Sequence, residues 1–258
     1  VEIDGGSAFA TGYYEPEILA AREPERGYES PIYALPADVP PPCESDCDED
    51  AVLTRAAIED GALEGEGRAI AWARDPVDLY VLQVQGSGIL RLPSGETMRI
   101  GYAGNNGYPY TSIGRLMRER GLLGDGQTTA EGIAQWLREN PEDGREIMQE
   151  NRRYIFFTEI AGPGPLGSLG RPVTPRGTVA ADPAFVPLGA PVFLNMEHDV
   201  ADGLWVAQDT GSAIRGANRF DTFWGAGDDA YAIASGMASR GQALVLIPAR
   251  SAARLRAD

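Results

Sequence analysis

The chain has 258 residues, 43% hydrophobic and 23% charged, with a formal charge of −16 at neutral pH. That length holds one large domain or two modest ones with ample core. So acidic a surface excludes nucleic acid and anionic membranes as partners, because both require a basic face. A lone histidine, His198, excludes a multi-histidine metal site and offers no Ser-His-Asp set worth defending, which makes carboxylates the expected acid–base groups of any enzyme here.

The 32 glycines and 19 prolines, with short β-branched runs, predict a turn-rich, mainly β fold. Phe9–Tyr14 and Pro31–Ala34 read as strands joined by a polar segment. Residues 36–50 read as an exposed loop holding Cys43 and Cys47 in PPCESDCDED. CxxxC without further Cys or His makes a poor zinc site. A small loop disulfide in an oxidising compartment is expected, with two idle thiols as the alternative. Helical spacing follows over Leu53–Leu63, with Thr54 as cap and Gly61 near the stop, and a second helix is predicted from Gly67 to Asp75.

Leu79–Gln85 (LYVLQVQ) predicts a strand, and Ile89–Leu92, a Pro93–Gly95 turn and Thr97–Tyr102 predict a hairpin. After a polar aromatic loop over 103–111, Ser112 and Thr129 each cap a predicted helix; a third helix covers 142–151 before a strand at Tyr154–Phe157. GPGPLGSLG at 162–170 reads as a linker. Strand-and-turn units follow, a helix is expected near Ala230–Ser239, and Gln242–Pro248 closes the series. No apolar run approaches the roughly 20 residues of a membrane span. The simplest organisation is a small barrel made from both chain ends, residues 1–75 and 166–258, interrupted by an inserted β-rich domain with some helix at 76–165.

Three aspartates sit at predicted strand ends: Asp182 in AADP, Asp209 in QDTG and Asp221 in RFDTF. The first two occupy positions where turn formation is a sufficient explanation. Asp221 differs, because its sequence neighbours are Phe220, Phe223 and Trp224. Poor solvation among aromatics raises a carboxyl pKa, and an acid still protonated near neutral pH can donate to a leaving group. Aromatic faces such as Trp224 also suit sugar rings. Asp221 is therefore the expected catalytic group, with Asp209 and Asp182 supporting it.

Asp209-Thr210-Gly211-Ser212 also spells an aspartic-protease tetrapeptide, but that chemistry needs two such loops and one is present. Gln83 and Gln85 would share a strand face, and with Gly86, Ser87 and Gly88 they would offer hydrogen bonds to sugar hydroxyl and acetamido groups, a plain hairpin turn being the alternative. Tyr102, Asn105 and Tyr110 provide the same mixture. So do Thr11, Tyr14 and Glu15, with Glu15 a candidate second acid or a simple Glu-Pro turn.

TGYYEP at 11–16, VQGSG at 84–88, YAGNNGYPYTSIG at 102–114, GRPVTPRGTVAADP at 170–183, PLGAPVF at 187–193 and QDTGSAIRGANRFDTFWGAG at 208–227 together resemble the MltA-type membrane-bound lytic murein transglycosylases. Residues 170–248 resemble the "3D" domain named for three aspartates. The resemblance implies a double-psi β-barrel with a second β-rich domain inserted and a glycan groove between them. It also implies a lytic exotransglycosylase that cleaves the MurNAc–GlcNAc β-1,4 bond of peptidoglycan and leaves 1,6-anhydro-MurNAc.

Residue by residue, it places the acid/base on Asp221, the other two family aspartates on Asp209 and Asp182, and a substrate-contacting threonine on Thr11. Glu15 stands where the best-known enterobacterial member has a second threonine. No metal or organic cofactor is implied. Peptidoglycan glycan strands are the partner, with other cell-wall enzymes as further ones and a monomer as the expected state. The implied location is the periplasm, anchored to the outer membrane through a lipoprotein segment outside this sequence. Two rivals stand beside this reading: a hydrolase using two carboxylates, and a non-catalytic glycan-binding envelope protein.

Overall fold

The computed structural model describes residues 6–37, 53–124, 127–162 and 164–255. Cys43 and Cys47 lie outside the described residues, and the disulfide expectation with them. In chain order the strands are β1 (Ala8–Glu15), β2 (Glu17–Ala21), β3 (Ser30–Tyr33), β4 (Ala69–Ala73), β5 (Ser87–Arg91), β6 (Thr97–Asn105), β7 (Ile155–Glu159), β8 (Thr178–Ala181), β9 (Pro191–Met196), β10 (Gly203–Asp209), β11 (Arg219–Ala226) and β12 (Ala238–Val245). The helices are α1 (Arg55–Ala57, continued by a π-helical turn over Ile58–Ala62), α2 (Pro76–Gln85), α3 (Ile113–Glu119), α4 (Ala130–Glu139), α5 (Pro141–Glu150), α6 (Asp228–Gly236) and α7 (Ala249–Leu255). The chain divides into two compact units, Val1–Glu15 with Gly162–Asp258, and Pro16–Ala161.

The first unit is a closed barrel in the order β1-β11-β8-β10-β9-β12, completed by β12 pairing with β1. Two pairs are parallel, β1 with β11 and β8 with β10; the other pairings are antiparallel. Strand alternation sorts the side chains. Ala8 and Ala10 of β1, Val192 and Leu194 of β9, and Phe220 and Trp224 of β11 fill the core. Phe9, Thr11 and Tyr13 of β1, with Arg219, Asp221 and Phe223 of β11, therefore take the other face of this parallel pair. Thr11 is the register partner of Asp221, and Tyr13 that of Phe223.

The second unit is a six-stranded sheet, β3-β4-β2-β5-β6-β7, overlaid by helices. Its boundary differs from the one predicted. The described residues between 16 and 75 do not complete the barrel: β2, β3 and β4 pair in this sheet, and Ile18, Ala20, Ile32, Ala71 and Ala73 bury themselves with Leu79 and Leu82 of α2.

Two elements were of the other type. Residues 79–85 form helix α2, not a strand. Asp75 caps it by accepting from Val77 N at 2.8 Å, Pro76 occupies its first turn, and Gly86 ends it in the left-handed conformation at φ 84°. Leu79 and Leu82 face the sheet while Val77 and Tyr80 face α3, α4 and α5. A helix buried on two sides lacks an amphipathic stripe, so its apolar run imitates a strand. Conversely, the predicted helix at 67–75 is strand β4, where fully buried Ala71 and Ala73 are what the interior sheet position admits. Thr54, Ser112 and Thr129 cap their helices as predicted.

Candidate active site

Four elements of the barrel unit converge on two carboxylates. Thr11 donates to Asp221 Oδ1 at 2.6 Å and accepts from Arg219 Nη2 at 2.8 Å. Beneath this pair, Thr222 donates to the Thr11 carbonyl at 2.9 Å and accepts from the Trp224 indole at 2.9 Å, which ties β11 to β1 from the interior side. Asp221 keeps partial solvent access, yet its carboxyl is surrounded by protein. Desolvation pushes its pKa up to about 6, against the opposing pull of the Thr11 hydrogen bond and the Arg219 charge, while Asp209 adds to the rise.

Asp209, at the end of β10, is held differently. Its Oδ1 accepts from Thr210 N at 2.9 Å and from both Ser168 N and Ser168 Oγ at 3.1 Å; its Oδ2 accepts from the Tyr13 hydroxyl at 2.9 Å. Burial raises its pKa, and these donors restrain the rise. The same burial, then the Asp209 charge, hold Tyr13 protonated well above the ordinary range. The Tyr13 ring lies 5.0 Å from that of Phe223, so an aromatic pair borders the two acids.

Asp182 follows β8 and accepts from Ala184 N at 3.0 Å and Gly216 N at 2.8 Å. Those two amides depress its pKa. It pins the loop that leads into β11. The three aspartates thus do three jobs: one protonatable near neutrality, one saturated with donors, and one clamped to backbone.

Several expectations about neighbours change. Phe220 and Trp224 flank Asp221 in sequence but point into the core, with Trp224 packed on Trp205 at 5.6 Å. Trp224 is 5% exposed and is a core residue rather than a sugar platform. Tyr14 likewise turns from the Thr11 face and packs against Tyr231 at 5.3 Å, while Tyr13 takes the place beside the acids. Glu15 is 2% exposed, which removes it as an open second acid.

The remaining predicted contact residues belong to the second unit. Gln83 and Gln85 lie on a helix, where positions two apart point in different directions, so they share no face. Gln83 is buried and accepts from Arg55 Nη1 at 2.5 Å, a structural bond. Gly86 is the helix cap; Ser87 and Gly88 open β5, with Gly88 close against Leu82 and the Pro16 carbonyl. Tyr102, 53% exposed, accepts from Asn105 Nδ2 at 2.6 Å, so this pair does present an open polar aromatic surface. Tyr110 is partly buried, and burial raises its pKa.

Three contributors escaped sequence reading: Tyr13, Ser168 and Arg219. Tyr13 and Arg219 were accessible through the two-residue period that aligns each with Thr11 or Asp221. Ser168 was hidden in glycine-rich composition. Its loop lies so close to β10 that a Cβ on Gly167 would stand 2.6 Å from the Gln208 carbonyl oxygen, so glycine there permits the approach. Among the described residues no cluster of three His, Cys, Asp or Glu side chains could hold a metal.

The barrel thus sets one aspartate whose pKa is raised beside an ordered hydroxyl. The profile of the MltA specific insert domain matches residues 9–158, and that of the 3D domain residues 177–247. The chain belongs to the MltA family of lytic murein transglycosylases. It is 33% identical to the membrane-bound lytic murein transglycosylase A of Vibrio cholerae over 233 residues, covering 86% of this chain and 60% of that protein. It thus spans about 60% of the length of the curated relatives it matches first. A crystal structure of the membrane-bound lytic murein transglycosylase from Agrobacterium tumefaciens superposes with a TM-score of 0.86 at 33% identity, covering 96% of this chain and 75% of that one. The E. coli MltA structure with bound chitohexaose superposes with a TM-score of 0.79 at 27% identity, covering 93% and 71%.

Proposed function

We propose that this chain is a peptidoglycan lytic transglycosylase in which Asp221 alone supplies both acid and base. The observation that carries the reading is the Asp221 carboxyl itself, raised to about pH 6 with one oxygen engaged by Thr11. Protonated, it gives its proton to the departing GlcNAc O4 as the bond to MurNAc C1 breaks. As carboxylate, it takes the proton of the MurNAc C6 hydroxyl while that oxygen attacks C1 and closes the anhydro ring. The nucleophile is already part of the substrate, so no second reactant must be ordered. The Tyr13–Phe223 pair limits water beside the carboxyl, which favours ring closure over hydrolysis.

Asp209 supports this over a two-carboxylate hydrolase. Three donors already meet its Oδ1 and Tyr13 takes one site on Oδ2, which leaves at most one acceptor position to activate a water molecule. Its role, with Asp182, is to position. Thr11 and the open Tyr102–Asn105 surface are proposed glycan contacts. The E. coli relative holds chitohexaose, which supports a glycan strand as the ligand here. The relatives' description as membrane-bound supports a site at a membrane, and the proposed location is the periplasmic side of the outer membrane; among the described residues no helix is long and apolar enough to cross a membrane.

The test is digestion of purified sacculi with mass analysis of the released fragments. Muropeptides lighter by one water than hydrolytic products, and without a reducible end, are expected. Reducing ends would replace the proposal with hydrolysis, and binding without release would replace it with a glycan-binding role.

A further inference from the structure

Arg219 and Asp221 stand two residues apart on β11 and share its outer face, opposite Thr11 of β1. Arg219 is held at three points. Its Nη2 donates to Thr11 Oγ1 at 2.8 Å, its Nη1 donates to the Phe220 carbonyl, and its guanidinium lies 5.1 Å from the centre of the Phe9 ring. A guanidinium carries donors and no acceptor. The Thr11 oxygen must therefore accept from Arg219, and its single hydrogen is left for Asp221 Oδ1, 2.6 Å away.

We propose that Arg219 is a positioning residue that works through Thr11, fixing the direction of its hydroxyl so that Asp221 Oδ1 always accepts and the catalytic proton is confined to Oδ2. The inference rests on the reading of Asp221 as the acid and base. Without Arg219 the threonine hydroxyl can rotate and accept from a proton on Oδ1, and the carboxyl then divides between two protonated forms. With it, the oxygen that releases a proton to the leaving group is the one that recovers it from the C6 hydroxyl. No carboxyl rotation intervenes. The charged and titratable groups acting on Asp221 are Arg219 on its own strand, Tyr13 on β1 and Asp209 on β10, while Arg240 of β12 lies 5.5 Å from the same Phe9 ring.

The experiment compares wild type, Arg219→Met, Thr11→Val and the double variant by two readouts: carboxyl NMR titration of Asp221, and rate against pH on purified sacculi and a soluble glycan oligomer. Arg219→Met is expected to raise the Asp221 titration, and the alkaline limb of the rate profile, by about one pH unit. It should lower kcat at its own optimum roughly tenfold with little change in KM. In the Thr11→Val background the same change should move the titration by less, the remainder being the direct pull of the Arg219 charge on Asp221, and add less than twofold to the loss in rate. Arg219→Lys, which keeps donors and charge, should recover most of the rate.

An undiminished shift and a full rate loss in the Thr11→Val background would mean that Arg219 acts on Asp221 by its charge alone, and the relay would be overturned. An unaltered titration in Arg219→Met would overturn it as well. Because the titration needs no turnover, coupled shifts in a chain that forms no anhydro product would uphold the relay while removing the proposed function. Thr11→Ser serves as the second single variant should Arg219→Met fail to fold: its hydroxyl should keep the wild-type titration, and a shift equal to that of Thr11→Val would count against the relay.

Discussion

Thr11 and Asp221, 210 positions apart in the chain, share a hydrogen bond of 2.6 Å because β1 and β11 are parallel neighbours in register. The bond is made at a cross-strand pair, so two strands from opposite ends of the chain set its geometry. Closing the barrel and assembling the acid are the same event.

Replacing Asp221 by Asn should reduce release of anhydro-muropeptides by at least about 10²–10⁴-fold, the usual contribution of general acid–base catalysis. The protein should stay folded, since the amide oxygen still accepts from Thr11. A folded Asp221→Asn protein with normal turnover would remove the central assignment.

The same variant should be more stable than wild type above pH 6. The Asp221 carboxyl binds its proton more tightly folded than unfolded, so its contribution falls as pH rises from about 4, the ordinary carboxylate value, to about 6, and the cost is complete above that. The gain should be on the order of 2 kcal/mol near neutrality and vanish below about pH 4. Denaturant unfolding of both proteins across this range measures it; a difference independent of pH would contradict the raised carboxyl.

Tyr13→Phe keeps the ring against Phe223 but withdraws the donor from Asp209 Oδ2. Leaving that buried oxygen without its partner should cost about 1–3 kcal/mol and raise the Asp209 pKa further. Because Asp209 lifts the Asp221 pKa through its charge, a more protonated Asp209 should let the alkaline limb of activity move slightly down. Thermal unfolding and the pH–rate profile report the two effects separately.

Ser168→Ala and Gly167→Ala should rank in the order opposite to their polarity. The serine change loses the Oγ bonds to Asp209 and Thr210 but keeps the amide bond to Asp209, for about 1 kcal/mol. The glycine change drives a Cβ to 2.6 Å from the Gln208 carbonyl oxygen and 2.9 Å from Val173, so the whole loop must retreat from Asp209. Activity should fall further in Gly167→Ala than in Ser168→Ala; the reverse ranking would show that the hydroxyl, not the loop position, controls Asp209.

In the second unit, Gln83→Ala should act on stability. Arg55 is 2% exposed, bonded through its guanidinium to Gln83, Glu59 and the Asn151 and Arg153 carbonyls, and within 5.3 Å of the Tyr80 and Tyr154 ring centres. Losing one acceptor of a buried charge should cost about 1–3 kcal/mol. Chitooligosaccharide titration should show unchanged affinity in the folded fraction, and a selective loss of affinity would restore Gln83 as a glycan contact.

What the amino-acid sequence determined by itself was local. Thr54, Ser112 and Thr129 cap their helices because a side-chain oxygen reaches an amide three residues on. Hairpin β5–β6 forms around its Pro93–Gly95 turn, and the strands β8, β9, β10 and the later part of β12 announce themselves between turn residues. The family motifs carried the mainly β architecture and pointed to Asp221 and Thr11, which the barrel brings together.

Tertiary structure decided whatever depends on which face a side chain takes or on what lies across from it. Period-two alternation sent Phe220 and Trp224 into the core and brought Tyr13 and Arg219 to the acid, although linear proximity argued for the aromatics. Burial of α2 on two sides erased the periodicity that marks a helix, and pairing with β5 drew β2 out of the barrel. The pKa of Asp221 belongs to the same class. It arises from desolvation by a closed barrel, opposed by one hydroxyl and one guanidinium, and none of these is a property of the residues beside it in the chain.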